Sequence, residues 1–347
     1  MKAVIFEKIG SVKLAEISKP KLLNPDDALV KITSTAICGT DLHIINGNIP
    51  VEEDFVIGHE AVGIVEEIGN DVKKVKPNDR VVVSCTVQCG FCVNCRRGVA
   101  ALCEKGGIFG CGKARGGFAG AQAEYMRVPY ADMVLEPIPD NISDDEALFV
   151  GDILSTGYMA AENGCIRPGD IVAIFGSGPV GLCTLACAKL FGASKIINVD
   201  LLDYRLEEAQ RLGADIVINA NNTDPVEEIK NATKGRGADV TIEAIGDPKT
   251  LQACINSVRG GGNISIVGVF PPGVVEISMK EMLIQNLTIK MGLVNVINMG
   301  KLLTLIMNGK LDVTSLITHR LDLDDAEDAY AIFSKRSQGV LKVILKP

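Results

Sequence analysis

The pattern of hydrophobic and polar positions along this chain of 347 residues changes near residue 168. Before that point, short apolar or alternating runs such as 28–36, 61–68 and 80–84 are separated by Gly, Pro, Asn and Asp. Strands at this spacing, without long helical periods, are typical of a compact β-barrel-like domain. The first 150 residues are therefore predicted to form a β-rich domain.

Beyond residue 168, strand-like runs alternate with helix-like runs. The predicted strand and helix pairs are 171–175 with 179–191, 195–199 with 204–212, and 239–245 with 249–258, and a further strand follows at 263–269. Strands that alternate with helices predict a parallel sheet covered on both faces. The predicted fold class is therefore α/β, with a β-rich domain beside a doubly wound parallel-sheet domain.

The last 50 or so residues return to a different pattern. A helix is predicted at 299–307, a helix with an acidic start at 324–333, and a final strand at 341–345. We expect this tail to fold back on the first domain.

Composition and charge exclude several classes of function. Apolar residues make up 47% and charged residues 22% of the chain, as in ordinary soluble globular proteins. The formal net charge of −8 disfavours a nucleic-acid or anionic-membrane partner. The N-terminus alternates like a strand rather than a signal peptide, and no apolar run approaches the roughly 20 residues that span a bilayer. A cytoplasmic location is expected.

A glycine-rich turn with the spacing G-x-G-x-x-G follows the apolar run 171–175 and precedes a helix. The candidate cofactor-binding residues of this turn are Gly176, Gly178, Pro179, Val180 and Gly181. Such glycines permit a tight turn and close approach of the backbone to a pyrophosphate at the helix N-terminus. The alternative is a glycine turn in an α/β fold that binds no dinucleotide.

Asp200 ends the next predicted strand, at the distance of about 20 residues where a carboxylate accepts the adenosine ribose hydroxyls. A 2′-phosphate would meet a like charge there, so NAD is favoured over NADP. Arg205 lies close enough in the sequence to weaken that preference.

Four cysteines form a run with the spacing C-x2-C-x2-C-x7-C: Cys89, Cys92, Cys95 and Cys103. Four thiolates this close can surround one zinc ion and leave no position for a substrate. Two disulfides are the alternative, which a cytosolic setting disfavours. The isolated cysteines Cys165, Cys183, Cys187 and Cys254 fall in apolar or helical stretches and are predicted to be small buried hydrophobes.

A second, open zinc site has candidate ligands in three distant segments. Cys38 begins the run Cys-Gly-Thr-Asp-Leu-His, His59 and Glu60 follow Gly58, and Asp152 precedes the nucleotide-binding pattern. One Cys, one His and one carboxylate suit a catalytic zinc with a free position. Spacing alone does not single out this site, because the candidate ligands lie far apart in the sequence.

In combination, these motifs resemble the zinc-dependent medium-chain dehydrogenase/reductase family, alcohol dehydrogenase type. The resemblance rests on the 38–43 and 58–60 segments, the four-cysteine run, the 152–158 segment and the 176–181 turn, in the order found in the family. It covers essentially the whole chain. It implies a GroES-like β-rich catalytic domain of residues 1–150 and 295–347, with a structural zinc lobe at about 85–111. It also implies a Rossmann NAD-binding domain at 151–294.

The resemblance also assigns roles to individual residues. Cys38, His59 and Asp152 match the catalytic zinc ligands, and Glu60 matches a transient ligand. Thr40 matches the hydroxyl that accepts the substrate proton, and His43 matches the end of a proton relay to solvent.

Other matches concern the cofactor, the substrate pocket and the assembly. Thr156 and Val180 match residues near the nicotinamide, and Lys342 matches a basic residue near the pyrophosphate. Cys85 stands where some primary-alcohol enzymes carry an aromatic residue, which implies a larger pocket. Family members usually assemble as dimers or tetramers, and a homotetramer is favoured here.

The implied function is that of an oxidoreductase with two zinc ions per chain, which transfers a hydride between NAD and a small primary or secondary alcohol. Alternatives within the family are polyol, 2,3-butanediol, threonine and glutathione-independent formaldehyde dehydrogenases. A zinc-free quinone reductase or a non-catalytic nucleotide-binding relative is the alternative from another class. The presence of Cys38, His59 and Asp152 together argues against both. Many members carry cysteine where this chain has Asp152, so the substrate is less determined than the reaction.

Overall fold

The computed structural model describes residues 1–347 and contains 18 β-strands and 12 α-helices. The strands are β1 (Lys2–Lys8), β2 (Ser11–Glu16), β3 (Ala28–Ala36), β4 (Phe55–Val56), β5 (Glu60–Ile68), β6 (Arg80–Val83), β7 (Thr86–Val87), β8 (Gly107–Ile108), β9 (Tyr125–Val128), β10 (Leu135–Pro137), β11 (Ile171–Phe175), β12 (Lys195–Asp200), β13 (Ile216–Asn219), β14 (Ala238–Glu243), β15 (Val258–Ile266), β16 (Thr288–Met291), β17 (Ile317–Asp322) and β18 (Lys342–Lys346). The α-helices are α1 (Gly39–Ile45), α2 (Val93–Arg96), α3 (Ala131–Val134), α4 (Asp144–Ala147), α5 (Ile153–Asn163), α6 (Pro179–Leu190), α7 (Asp203–Leu212), α8 (Pro225–Ala232), α9 (Pro248–Ser257), α10 (Met279–Ile284), α11 (Met299–Met307) and α12 (Ala326–Lys335).

Two units divide the chain. The first unit is Met1–Ser155 together with Asn295–Pro347, and the second is Thr156–Val294. The division places Asp152 in the first unit, whereas the sequence-based boundary at 150 puts it in the second. No helix combines the length and apolar character needed to cross a bilayer.

A seven-stranded sheet organises the first unit, in the order β10-β6-β5-β3-β18-β17, and β9 also pairs with β3. The strands β3 and β5 are antiparallel, and Ala36 at the end of β3 faces Glu60 at the start of β5. On its other side, Ala36 faces Ile344 of the antiparallel β18. This register brings the C-terminal end of β3 and the N-terminal ends of β5 and β18 together at one end of these three neighbouring strands. The last strand of the chain thus lies inside the sheet of the first unit.

A six-stranded parallel sheet organises the second unit, in the order β13-β12-β11-β14-β15-β16. The chain leaves β11 in one direction through β12 and β13, then returns to β14 on the other side, so the strand order reverses between β11 and β14. Ligands of doubly wound sheets bind at the carboxyl ends of the strands near such a reversal. The α/β class with a parallel sheet is therefore the class that the sequence pattern predicts.

Several elements of the second unit were not predicted from the sequence pattern, among them β13, α8 and α10. β13 has only four residues, and α8 begins at a proline with an acidic first turn, so neither produces a long periodic signal. The strand predicted at 263–269 begins earlier, at Val258, and ends at Ile266.

Candidate active site

Four potential metal ligands meet at the end of the sheet where β3 stops and β5 and β18 start. Cys38 caps the N-terminus of α1, two residues after β3 ends. His59 and Glu60 occur where β5 begins, and Asp152 stands between a short turn and α5. The potential ligand atoms of Cys38, His59, Glu60 and Asp152 all lie within 4.8 Å of one another, and all four residues are buried.

The distances in this cluster fit a tetrahedral zinc site. His59 Nε2 lies 3.3 Å from Asp152 Oδ2, and Cys38 Sγ lies 3.6 Å from the same oxygen. Tetrahedral zinc with bonds of about 2.0–2.1 Å to nitrogen and oxygen and about 2.3 Å to sulfur places N and O about 3.4 Å apart and S and O about 3.5 Å apart. The donor set of one thiol, one imidazole and carboxylates is also one that zinc prefers.

The charges around the cluster favour a bound cation. Three carboxylates in and beside the cluster are buried, those of Asp41, Glu60 and Asp152, against one buried ammonium, that of Lys342. Burial works against the charged form of Asp152, but the hydrogen bond and charge of His59 and the charge of Lys342 outweigh it and lower its pKa to about 2. Burial also opposes protonation of His59, yet the charges of Asp41 and Cys38 raise its pKa well above the usual value. A metal ion would replace that proton.

Lys342 is enclosed beside this cluster. Its ammonium forms an ion pair with Glu60 and donates a hydrogen bond of 2.9 Å to the backbone oxygen of Ile37. Burial disfavours the charged form, but the carboxylate of Glu60 outweighs it and raises the pKa of Lys342 to about 12. The sequence analysis associated Lys342 with the cofactor pyrophosphate. The contacts in the structure are with Glu60 and Ile37, and the pyrophosphate role stays a prediction.

Thr40 and His43, the predicted proton-relay residues, both lie on α1. Thr40 Oγ1 is 3.9 Å from Cys38 Sγ, next to the ligand cluster. His43 is half-buried, and Asn48 Nδ2 lies 3.2 Å from its Nδ1. Burial lowers the pKa of His43, so the ring is neutral at pH 7 and can accept a proton.

Asp41 is a residue of this site that the sequence analysis did not assign. Its Oδ1 lies 3.4 Å from His59 Nδ1, and its Oδ2 accepts a hydrogen bond of 2.9 Å from the backbone N–H of Cys38. A carboxylate on the far nitrogen of a metal-binding histidine fixes the tautomer and the ring orientation. A sequence signal did exist, because Asp41 stands three residues after the helix-capping Cys38, where acidic capping-box residues occur.

The four-cysteine run forms a separate cluster around α2. The sulfur atoms of Cys89, Cys92, Cys95 and Cys103 all lie within 4.8 Å of one another. Cys92 Sγ and Cys103 Sγ are 3.9 Å apart, close to the roughly 3.8 Å of a tetrahedral zinc–thiolate site and far beyond the roughly 2.05 Å of a disulfide. The backbone N–H of Cys95 lowers the pKa of Cys92 to about 6, which favours the thiolate that binds metal.

The isolated cysteines only partly follow their prediction. Cys183, Cys187 and Cys254 are buried, as predicted. The prediction was wrong for Cys165, which is exposed. It lies just beyond the C-terminus of α5 with a φ of 50°, so the chain turns there and leaves its side chain in solvent.

The glycine turn of the second unit joins β11 to α6. Gly176 has a φ of 105°, which favours glycine, and a Cβ on Gly181 would lie 1.8 Å from the carbonyl oxygen of Gly176. A Cβ on Gly178 would meet only Arg205 Nη1, at 3.5 Å. Pro179 and Val180 form the first turn of α6. The N-terminus of a helix favours an anion, because its free N–H groups and the helix dipole are positive there.

Asp200 is oriented by the backbone around this turn. Its Oδ2 accepts a hydrogen bond of 2.7 Å from the N–H of Ser177, and its Oδ1 accepts from the N–H groups of Leu201 and Leu202. Arg205 Nη1 lies 3.9 Å from Asp200 Oδ2. A carboxylate has about four acceptor sites, so capacity remains for a ligand hydroxyl. Thr156, the other predicted cofactor contact, lies on α5 in the same unit.

Comparisons with known proteins identify the family and the fold of this chain. The family model of the alcohol dehydrogenase GroES-like domain matches residues 24–140, and that of zinc-binding dehydrogenases matches residues 179–306. An alcohol dehydrogenase of Cupriavidus necator is 39% identical over 100% of this chain and 99% of its own length. The chain belongs to the zinc-dependent medium-chain dehydrogenase family. It is therefore an oxidoreductase, and the predicted pairing of a GroES-like domain with a Rossmann domain is confirmed.

Solved structures extend the likeness to this family. The alcohol dehydrogenase TADH from Thermus sp. ATN1 is 41% identical, with a TM-score of 0.96 over 100% of this chain and 99% of that one. A protein of Sinorhizobium meliloti 1021, solved with bound NADP, is 30% identical, with a TM-score of 0.89 over 100% and 99% of the two chains. These relatives support zinc and a nicotinamide dinucleotide as the cofactors.

Proposed function

We propose that this protein is an NAD-dependent zinc alcohol dehydrogenase that interconverts small primary or secondary alcohols with aldehydes or ketones. The observation that carries the proposal is the buried cluster of Cys38, His59 and Asp152, whose donor distances match those around tetrahedral zinc. Three protein ligands leave one position for a substrate oxygen.

In this proposal, Cys38, His59 and Asp152 hold the catalytic zinc, and the four-cysteine cluster holds a second, structural zinc. When bound, the catalytic zinc supplies Lewis-acid activation of a hydroxyl and the nicotinamide supplies the hydride acceptor. Glu60 is restrained by its ion pair with Lys342, which keeps one of its oxygens turned to the ammonium. Its Oε2 has no hydrogen-bond partner and is the oxygen able to approach the metal as a transient ligand.

The proton of the alcohol leaves through residues of α1. Thr40 stands beside Cys38 and provides a hydroxyl that both accepts and donates. His43 is neutral near pH 7, because burial lowers its pKa, and its partly exposed ring passes the proton to solvent.

We propose NAD rather than NADP because the carboxylate of Asp200 is fixed by three backbone N–H groups. A fixed carboxylate accepts ribose hydroxyls and repels a 2′-phosphate. Arg205 lies beside that carboxylate and balances part of its charge. We therefore expect a preference for NAD that is measurable but not absolute.

The breadth of the alcohol substrate is proposed from Asp152 and Cys85. A carboxylate ligand is harder than a thiolate and leaves the zinc a stronger Lewis acid. Cys85 is buried, and its small thiol interacts with Asp152. A small residue beside a metal ligand suits secondary as well as primary alcohols.

We also propose that the protein is a cytoplasmic homo-oligomer, with a tetramer favoured over a dimer. β16 ends the sheet of the second unit, and unpaired edge strands are surfaces for association. Met291 on this strand and Leu283 and Ile284 on α10 are exposed apolar side chains. Light scattering of the purified protein would give a mass of about four chains under this proposal.

The experiment that tests the function combines metal analysis with a substrate panel. We expect two zinc ions per chain, and kcat/KM values that are higher with NAD than with NADP across primary alcohols, secondary alcohols, diols and formaldehyde. His59→Ala should retain one zinc ion and lose the activity. His319→Ala, at a histidine on β17, should retain two zinc ions and the activity. One zinc in the unmodified protein, or activity that survives in His59→Ala, would refute the proposal.

A further inference from the structure

Three buried polar side chains of the first unit form a hydrogen-bonded chain that ends at His59. The hydroxyl of Tyr330 donates to Gln122 Oε1 at 2.8 Å, and Gln122 Nε2 donates to Asp41 Oδ2 at 3.3 Å. Asp41 Oδ1 then faces His59 Nδ1 at 3.4 Å. Asp41 and Gln122 are 0% exposed and Tyr330 is 4% exposed, so no water competes for these contacts.

The direction of this chain follows from the chemistry of its members. An ionised Asp41 has only acceptor sites, so Gln122 must turn its NH₂ group toward it. That orientation leaves the carbonyl oxygen of Gln122 for the hydroxyl of Tyr330, which is its donor. Asp41 Oδ1 and His59 Nδ1 have no other hydrogen-bond partner, and they face each other. The pair is complete when Nδ1 carries the proton, which leaves Nε2 free to bind metal.

Gln122 also packs against the backbone that leads into His59. Gly58 has a φ of 91°, and a Cβ there would lie 2.4 Å from Gln122 Cγ. The same side chain therefore contacts the residue before the histidine and the carboxylate behind it. Tyr330 reaches this point from α12, more than 200 residues later in the chain, so the support for His59 depends on the returning C-terminal segment.

We propose that Gln122 and Tyr330 are positioning residues that hold Asp41 against His59, and so fix the tautomer and ring orientation in which His59 binds the catalytic metal. The inference rests on the proposed function, because it takes His59 as a zinc ligand. Neither residue touches the ligand atoms, so both act through Asp41.

The test measures zinc release from the zinc-loaded protein into a chelating dye. Gln122→Met keeps the volume but removes both hydrogen bonds, Gln122→Glu places a second carboxylate against Asp41, and Tyr330→Phe removes one hydroxyl. Outer-shell changes of this kind weaken metal binding by about 10- to 100-fold, and we expect the catalytic-zinc phase to accelerate by that factor in both Gln122 variants. Tyr330→Phe should accelerate it less, since Gln122 keeps its bond to Asp41. The phase from the four-cysteine cluster should not change.

Thr33→Val is the matched control, because it removes a hydrogen bond to Asp144 from the same unit without touching the cluster. Equal release rates for Gln122→Met, Gln122→Glu and Thr33→Val would overturn the inference. If the Gln122 variants fail to fold, Tyr330→Phe alone tests the inference. An unchanged rate of catalytic-zinc release in Tyr330→Phe would then overturn the inference. His59→Ala identifies the catalytic phase. If the unmodified protein and His59→Ala release zinc identically, the proposed function itself fails, which is a different result.

Discussion

The side chain at position 152 sets the charge of the proposed metal centre. Asp152 is buried, and its pKa falls to about 2 because His59 and Lys342 outweigh the effect of burial. It is therefore ionised across the working pH range and needs no proton release before it binds a metal. A cysteine thiol at this position would need such release. The identity of this one residue thus affects the Lewis acidity that the substrate experiences.

His43 provides a prediction at the scale of the single residue. Burial lowers the pKa of His43 below that of an ordinary histidine. The neutral ring, which accepts a proton, therefore persists at lower pH than in an exposed histidine and is lost only on further acidification. His43→Gln should reduce the rate of alcohol oxidation by up to about 100-fold, the lower end of what positioned proton transfer contributes. Imidazole buffer should partly restore the rate.

The measurement for His43 is a pH–rate profile of kcat in buffers of increasing concentration. His319→Gln is the control, since the ring of this histidine hydrogen-bonds only to the adjacent Thr318. A profile for His43→Gln that matches the control would remove His43 from the proton route.

The turn between β11 and α6 shows that the three glycines of one motif serve different purposes. Gly176 adopts a positive φ, and Gly181 lets α6 pack against the carbonyl of Gly176. Gly178 meets neither restriction, because its φ is −72° and the space around it is open. Under the proposed function, the lack of a side chain at Gly178 lets the pyrophosphate of a dinucleotide approach the backbone closely.

A pair of alanine substitutions separates these purposes at the scale of the element. Gly181→Ala should destabilise the protein by about 1–3 kcal/mol, since a Cβ 1.8 Å from a carbonyl oxygen forces the backbone to move. Gly178→Ala should leave the melting temperature unchanged and weaken dinucleotide binding. Thermal unfolding and titration with NADH measure the two effects.

The contrast between the two variants is what the structure predicts. If Gly178→Ala bound NADH as tightly as the unmodified protein, the proposal that a pyrophosphate lies close to this turn would be wrong. If Gly181→Ala were fully stable, the packing of α6 on the turn would be looser than described.

At the scale of the whole molecule, the ion pair between Lys342 and Glu60 joins the two segments of the discontinuous first unit. The partners are 282 residues apart in the sequence, and both are almost completely buried. They meet because β18 pairs with β3, which in turn pairs with β5. The ion pair therefore requires the chain to complete the second unit and return.

Removal of one partner should be more damaging than removal of both. Lys342→Met leaves the carboxyl group of Glu60, whose pKa burial already raises to about 7, without its buried partner. Breaking a buried ion pair in this way costs about 3–5 kcal/mol, and the further change Glu60→Gln should recover most of that loss. The urea midpoint of the zinc-loaded protein measures both effects. Lys2→Met, which breaks the exposed pair with Asp324, should leave the midpoint nearly unchanged. A double variant as unstable as the single one would contradict this explanation.

Much of the fold was predictable from local patterns. The predicted ranges of β3, β11 and α11 coincide with those of the structure, because each has a clear apolar period bounded by turn residues. β13 and α8 were not predicted, since four and eight residues are too few to show a clear period. The burial predicted for Cys165 failed because its place after α5 depends on the turn that follows the helix.

Local spacing along the chain was enough to predict a four-cysteine zinc site and a dinucleotide-binding turn. The spacing of Cys89, Cys92, Cys95 and Cys103 and the glycine turn before Asp200 are local signals, because metal and phosphate binding need particular atoms a few residues apart. The contacts between distant groups, in contrast, depend on the tertiary structure. The contacts of Lys342 with Glu60, and of Tyr330 and Gln122 with Asp41, depend on strand register and on a helix that returns from the end of the chain. Register is a property of paired strands, so no single segment of the sequence specifies it.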